Sequence, residues 1–217
     1  METEKPIPLL YQDQRIVVCV KPSGVLSADL PQLLRIQTGE SQGSYRTVHR
    51  LDQVVGGVMV LARSRKAAQI LSAQVAAGEM GKTYLAVVQG NPPVSGTLKD
   101  LLYRDTAARR TLIVSAPGRD VKEAVLDYRT LAHAGDCTLV QVNLHTGRTH
   151  QIRAQFSSRG WPLLGDVKYG GREGTGFGLW SYRLSFRHPQ SGEKLTFTCP
   201  PPDCWPWTLF PPQEGIT

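Results

Sequence analysis

Thr138-Leu139-Val140-Gln141-Val142-Asn143-Leu144 alternates apolar and polar side chains and runs directly into His145-Thr146-Gly147-Arg148-Thr149-His150-Gln151-Ile152-Arg153. Successive side chains leave a strand on opposite faces, so this alternation predicts a β-strand with one buried face. Beyond the glycine-containing loop, Ile152 and Phe156 lie one helical turn apart and Gly160 is placed as a stop. A helix is expected from about Thr149 to Arg159.

Working outward, further short β-rich runs are bounded by Gly, Pro, Asn or Asp: Arg15–Val20, Gly57–Ala62, Tyr84–Val88, Thr111–Val114, Ala124–Leu131 and Lys194–Thr198. A helix is expected over Arg65–Ala77, where Ala67, Ile70, Leu71 and Val75 fall at helical spacing. Ser64 can cap its start, and Gly78 can end it in a left-handed conformation. A shorter helix is expected around Leu30 to Ile36. Strands outnumber helices without alternating with them, which disfavours a Rossmann-like or barrel repeat and favours an α+β domain with a mixed, mainly antiparallel sheet. The Pro-rich tail from Pro200 to Pro212, with Trp205 and Trp207 inside it, reads as extended chain packed on the surface.

The chain has 217 residues, 41% hydrophobic and 20% charged, enough for a full core in one catalytic domain spanning 1–217. No run approaches the roughly 18 consecutive apolar residues of a membrane span, and Met1-Glu2-Thr3-Glu4-Lys5-Pro6 lacks a signal-peptide core. A cytoplasmic protein with no membrane partner is expected. Twenty-five Lys and Arg against 18 Asp and Glu give a formal charge of +7, the sign of a protein that meets a polyanion. Cys19, Cys137, Cys199 and Cys204 form no CxxC pair, and His145 and His150 are spaced to opposite helical faces, so no metal site is expected.

Three segments concentrate charge and glycine beside apolar strands: His49-Arg50-Leu51-Asp52 leading to Gly56-Gly57, Gly81-Lys82-Thr83-Tyr84, and Thr146 to Arg153. An Asp directly before a turn and a buried-looking strand is held rigidly yet can face a cleft, which suits a nucleophile or base. Polar residues and glycine ahead of a helix bearing arginines attract an anion.

Taken in order, these segments resemble the RluA-type pseudouridine synthases. The likeness rests on His49-Arg50-Leu51-Asp52 with Gly57, on Lys82 with Tyr84, Ala86, Val88 and Gly90, and on Thr146-Gly147-Arg148-Thr149-His150-Gln151-Ile152-Arg153 followed by Gly165-Asp166 and Tyr169-Gly170. Leu10-Tyr11-Gln12-Asp13, Val18 and Lys21-Pro22-Ser23-Gly24-Val25-Leu26 resemble that family's opening strand and loop. The likeness covers a core of about 7–198 and leaves 199–217 as a tail. It implies a central, largely antiparallel sheet with an RNA-binding cleft across it, flanked by helices and loops. It also implies a reaction in which a uridine's glycosidic bond is broken, the uracil turned, and the base rejoined through C5. No cofactor is implied, because substrate and product are isomers.

The resemblance makes Asp52 the catalytic carboxylate, attacking ribose or base or removing a sugar proton. Arg153 is the matched cationic partner, with Arg148 as a second candidate that can instead hold phosphate, and Tyr84 is the active-site tyrosine, stacking on uracil and assisting proton transfer. Arg50 is implied to fill the space of a flipped uridine, and His49 to hold the loop or touch backbone. Lys82 supplies positive surface, and His150 takes an RNA-binding or structural hydrogen-bonding place. Read alone, each residue has a plainer meaning: Asp52 a turn residue, Tyr84 a core strand residue, Arg153 a surface helix arginine.

The family usually follows its aspartate with a charged residue, an acidic one and Thr-Ser-Gly, whereas this chain has Gln53-Val54-Val55-Gly56-Gly57. Loop contacts and substrate choice are therefore expected to differ more than the reaction. The start so close to the catalytic core leaves no room for a separate N-terminal RNA-binding domain. A monomer acting on structured transfer or ribosomal RNA is expected, with no DNA partner. Two other classes compete: a non-catalytic RNA-binding or RNA-folding protein on the same scaffold, and a hydrolase pairing Asp52 with Asp166.

Overall fold

The computed structural model describes residues 6–40 and 45–211; Met1 to Lys5, read above for a signal-peptide core, and the tail end from Pro212 lie outside the described residues. In chain order the elements are β1 (Leu9–Gln12), β2 (Ile16–Lys21), α1 (Leu30–Thr38), β3 (Arg46–Thr47), β4 (Gly56–Ala62), α2 (Arg65–Ala77), β5 (Gly81–Gln89) and β6 (Ser95–Asp105). There follow β7 (Arg110–Val114), β8 (Val121–Ala134), β9 (Cys137–Leu144), α3 (Gln151–Ser157), β10 (Leu179–Arg187) and β11 (Lys194–Thr198). This is the α+β class read from the sequence. The chain forms two compact units, Met1–Lys82 with Ser181–Pro200, and Thr83–Trp180 with Pro201–Thr217.

In the first unit the strand order is β1-β2-β4-β10, with β3 on β4 and β11 on β10. The β1·β2, β2·β4, β3·β4 and β10·β11 pairs are antiparallel. β2 and β4 are buried along their whole length, as continuous apolar runs with both faces covered must be. Helix α2 begins and ends as its sequence predicts: Ser64 Oγ accepts from the Ala67 N–H, and Gly78 is left-handed at φ 72°. Its apolar face puts Ala67 and Leu71 against Ile16, Val18, Val58, Val60, Leu184 and Phe186. Each aliphatic side chain buried this way contributes about 1.5–3 kcal/mol. Gln74, also buried, clips α2 to the end of β10 through two 2.8 Å bonds with the Arg187 backbone.

In the second unit the order is β5-β9-β8-β6-β7, and the β6·β7, β6·β8 and β8·β9 pairs are antiparallel. β9 departs from its expected one-sided burial, for every residue from Cys137 to Val142 is buried. The polar positions of the alternation are accommodated by hydrogen bonds. Thr138 Oγ1 donates to the Gly90 carbonyl at 2.7 Å, and Gln141 Oε1 accepts from Arg129 at 3.1 Å. Helix α3 is shorter than expected, and its six residues Gln151 to Phe156 are all buried. The tail is not extended as read: turns at Cys204 and Pro206 wind it into a short 3-10 helix over Trp207–Leu209. Among the described residues no helix is long and apolar enough to cross a membrane.

Gly57 shows how tightly β4 is fitted in the first unit. A Cβ there would lie 2.3 Å from the Ser181 carbonyl oxygen, and its φ of 121° disfavours any side chain. Gly57→Ala is expected to cost about 3 kcal/mol or more, combining backbone strain with overpacking. Urea denaturation of the two proteins measures it.

Candidate active site

In the first unit, the chain from His49 to Gln53 is tied down at every second residue. His49 Nε2 accepts the Val60 N–H at 3.2 Å. The Ser27 hydroxyl brackets Leu51, accepting from its N–H at 3.0 Å and donating to its carbonyl at 2.8 Å. Gln53 and Gly24 bond in both directions: the Gly24 N–H donates to the Gln53 carbonyl at 2.9 Å, and Gln53 Nε2 donates to the Gly24 carbonyl at 3.0 Å. Residues 49 and 51 are buried, Arg50 is exposed and Asp52 is half-buried. An extended chain anchored through alternate residues presents the residues between them outward. The carboxylate is thus placed by its neighbours' bonds.

Lys21, absent from the candidate site residues read from the sequence, closes this arrangement. Its side chain is fully buried at the end of β2, and its ammonium donates to the carbonyls of Pro22 at 2.9 Å, Val25 at 2.6 Å and Gln53 at 3.1 Å. Burial pushes Lys21 down to about 8, and the negative charge of Asp52 opposes that fall. A buried cation therefore lies within electrostatic reach of the proposed catalytic carboxylate and cross-links the two loops beside it. The signal available in the sequence was Lys21-Pro22-Ser23-Gly24, a lysine closing an apolar strand just before a turn.

His49 is enclosed, and burial, followed by the positive charge of Lys82, lowers it to about 3. It is a neutral ring at physiological pH, and accepting the Val60 N–H through Nε2 places its proton on Nδ1. This bond ties His49 to β4. Lys82 is half-buried, and desolvation lowers its pKa as well.

In the second unit, Arg153 is no surface arginine. It is 6% exposed on α3, and its Nε and Nη2 grip the two oxygens of Asp166 at 2.7 and 2.8 Å. Its guanidinium also lies 4.9 Å from the Tyr169 ring centre and 5.2 Å from that of Phe177. Asp166 is 1% exposed, with both oxygens engaged by that arginine. It is unsuited to serve as the second carboxylate of a hydrolase, and the hydrolase reading falls. His150 heads α3 in a left-handed conformation at φ 53°, bonded through Nδ1 to the Tyr169 hydroxyl at 2.8 Å. That hydroxyl also accepts the Thr111 N–H at 2.7 Å.

Buried Gln151 organises the loop before α3. Its Oε1 accepts from Thr146 Oγ1 at 2.8 Å and from the Arg148 N–H at 3.0 Å, while its Nε2 donates to the Val125 carbonyl at 3.1 Å. Arg148 is exposed, with Nε donating to the Glu123 carbonyl at 2.9 Å. Tyr84 is 8% exposed on β5.

The pattern of the RNA pseudouridylate synthase family matches residues 15–158, which include the Asp52 loop, Tyr84 and Arg153. The chain belongs to this family. Among pseudouridine synthases, it is 39% identical over 159 residues to one from Chloroflexus aurantiacus, a match covering 71% of this chain and 49% of that one. It is 32% identical to the Bacillus subtilis RNA pseudouridine synthase YlyB, covering 91% of this chain and 70% of the relative. Ribosomal large subunit pseudouridine synthase D of Zymomonas mobilis is 30% identical, with 88% and 68% covered. The chain thus spans about half the length of the first relative and about two thirds of the others. The solved human RNA pseudouridylate synthase domain containing 1 is similar with a TM-score of 0.80 at 25% identity, covering 93% of this chain and 87% of that one.

Two stability measurements follow from the buried charges of this chain. Asp166→Asn takes the charge out of the bidentate pair with Arg153, and breaking a buried pair costs about 3–5 kcal/mol. At roughly 2–4 °C per kcal/mol for a chain of this size, calorimetry is expected to show Tm falling by about 10 °C. For His49, the unfolded chain takes up a proton as pH falls through about 6.5. The folded chain does so only near 3. Stability is therefore full above that upper value and declines between the two by up to roughly 1.4 kcal/mol per pH unit. Urea titrations from pH 7 to 4 should show this extra acid lability in the wild type and not in His49→Gln.

Proposed function

We propose that this chain isomerises uridine to pseudouridine in structured RNA, transfer or ribosomal, with Asp52 as the catalytic carboxylate. The observation that carries the reading is the Asp52 loop: a half-exposed carboxylate between anchored neighbours, within reach of the fully buried Lys21 ammonium. Its family supplies the reaction. The bond from ribose C1′ to uracil N1 breaks, the base turns while bound, and C1′ joins C5. C5 gives up its proton and N1 gains one, so atoms and electrons balance without a cofactor.

An ionised carboxylate serves each route open to Asp52: attack on the ribose, attack on the base, or removal of a sugar proton. A nearby cation favours that ionised form. Arg153 is proposed as the cationic partner of Asp52, with its orientation set by the Asp166 pair. Tyr84 is proposed to stack on the uracil and assist proton transfer. Extruding a uridine costs a few kcal/mol, which binding along the RNA must offset. Exposed Arg50 fills the vacated stack, while Lys82, Arg148 and His150 contact the RNA and His49 holds the loop. The chain works as a monomeric catalytic domain in the cytoplasm, on RNA rather than DNA. The name of the Zymomonas relative supports ribosomal RNA as a substrate.

RNA tritiated at uridine C5 tests the proposal, since rejoining at C5 releases the label. Wild-type protein is expected to release tritium and Asp52→Asn to release none. RNA binding by both without release would instead support the non-catalytic scaffold.

A further inference from the structure

We propose that Leu26 and Val54 form a rigid apolar contact surface for a nucleobase of the RNA beside the target uridine. The inference rests on the isomerase reading for its occupant and on the geometry of the first unit for its site. Leu26 is 47% exposed and Val54 40% exposed, each one residue beyond a carbonyl held by the Lys21 ammonium, that of Val25 at 2.6 Å and that of Gln53 at 3.1 Å. The two Gly24–Gln53 bonds, 2.9 and 3.0 Å, join the same loops a second time. Two exposed apolar side chains are thereby carried on loops fixed to each other before any ligand arrives, which lowers the ordering cost of binding.

The chemistry of the surroundings selects a base over a phosphate. Neither Pro22–Ala28 nor Gln53–Gly57 carries a charged side chain. A phosphate there would lose water and gain no cation; the flat face of a base loses little. Val54 lies two residues beyond Asp52 in the same anchored loop, which puts this surface close to a uridine held at Asp52. Removing that uridine from its stack uncovers the face of the adjacent base, which aliphatic side chains can cover. Exposed Arg50, on the other side of Asp52, fills the vacated place in the stack while its charge meets the phosphates, which leaves the base on the Val54 side to the aliphatic pair.

The test uses total bacterial RNA tritiated at uridine C5, with filter binding and tritium release each measured at several salt concentrations. The double variant Leu26→Ser/Val54→Ser is expected to bind at least about tenfold more weakly, since each half-exposed side chain loses only part of a full aliphatic burial. Its slope of log affinity against log salt should stay unchanged, while Arg50→Ala lowers the magnitude of that slope by about one. Leu26→Met/Val54→Ile should restore binding. Unchanged affinity in the double serine variant, or a changed salt slope, overturns the inference. Weakened binding by that variant when even wild type releases no tritium would sink the isomerase reading and keep the contact; release with undiminished binding does the reverse.

Discussion

The Asp52 loop depends on one ammonium placed where water cannot reach it. Burying a charged lysine costs several kcal/mol unless its donors are met, and Lys21 meets three carbonyls at hydrogen-bond distance. Those carbonyls belong to two loops, so satisfying the charge and fixing the loops are the same event. The depressed pKa shows that the desolvation is felt; the opposing pull of Asp52 shows that the carboxylate shares in the compensation. An apolar side chain of similar length at 21 would take the ammonium from three carbonyls, of which that of Gln53 would keep the Gly24 N–H. An arginine would bring a planar fork to acceptors arranged around a point. The site thus requires a compact cation with three donors.

The second unit solves a similar problem with a different geometry. Arg153 is buried on a helix whose first six residues all lack solvent, and its planar fork matches the two oxygens of Asp166. Tyr169 is tied into the same cluster through its ring beneath Arg153 and its hydroxyl, which links the Thr111 N–H to His150. A short helix has little intrinsic stability, so α3 stands on these tertiary bonds rather than on propensity. In both units the charged groups of interest are positioned by partners that are themselves buried.

How much of this could be read from the chain follows the range of each interaction. Helix α2 was legible to the residue because its caps are local: Ser64 reaches three residues ahead, and Gly78 needs only its own backbone freedom. The alternation in β9 was legible as strand but misleading about burial. Thr138 and Gln141 owe their buried places to acceptors and donors at Gly90 and Arg129, which no local pattern announces. β6 was missed because Lys99 and Asp100 interrupt its apolar positions, whereas the alternation of Tyr182, Leu184 and Phe186 in β10 was there to be read. Asp52, Tyr84 and Arg153 were picked out by family likeness. Lys21 fell within that likeness but was not picked out as a site residue, because its partners are backbone carbonyls, which every residue possesses.

The departure at Gln53-Val54-Val55-Gly56 acquires a physical meaning in this setting. A carboxylate at 54 would be the second negative charge in the His49–Gly57 segment, where Asp52 is the sole acidic residue. It would repel Asp52 and compete for the field of Lys21. With valine there, the cation acts on one acid alone. The turn is held instead by the Gln53 carbonyl and amide, neutral groups that bond without adding charge. Neutral anchoring frees the outward face of the loop to be apolar. The departure from the family's pattern therefore alters what the loop can touch while leaving intact how Asp52 is held.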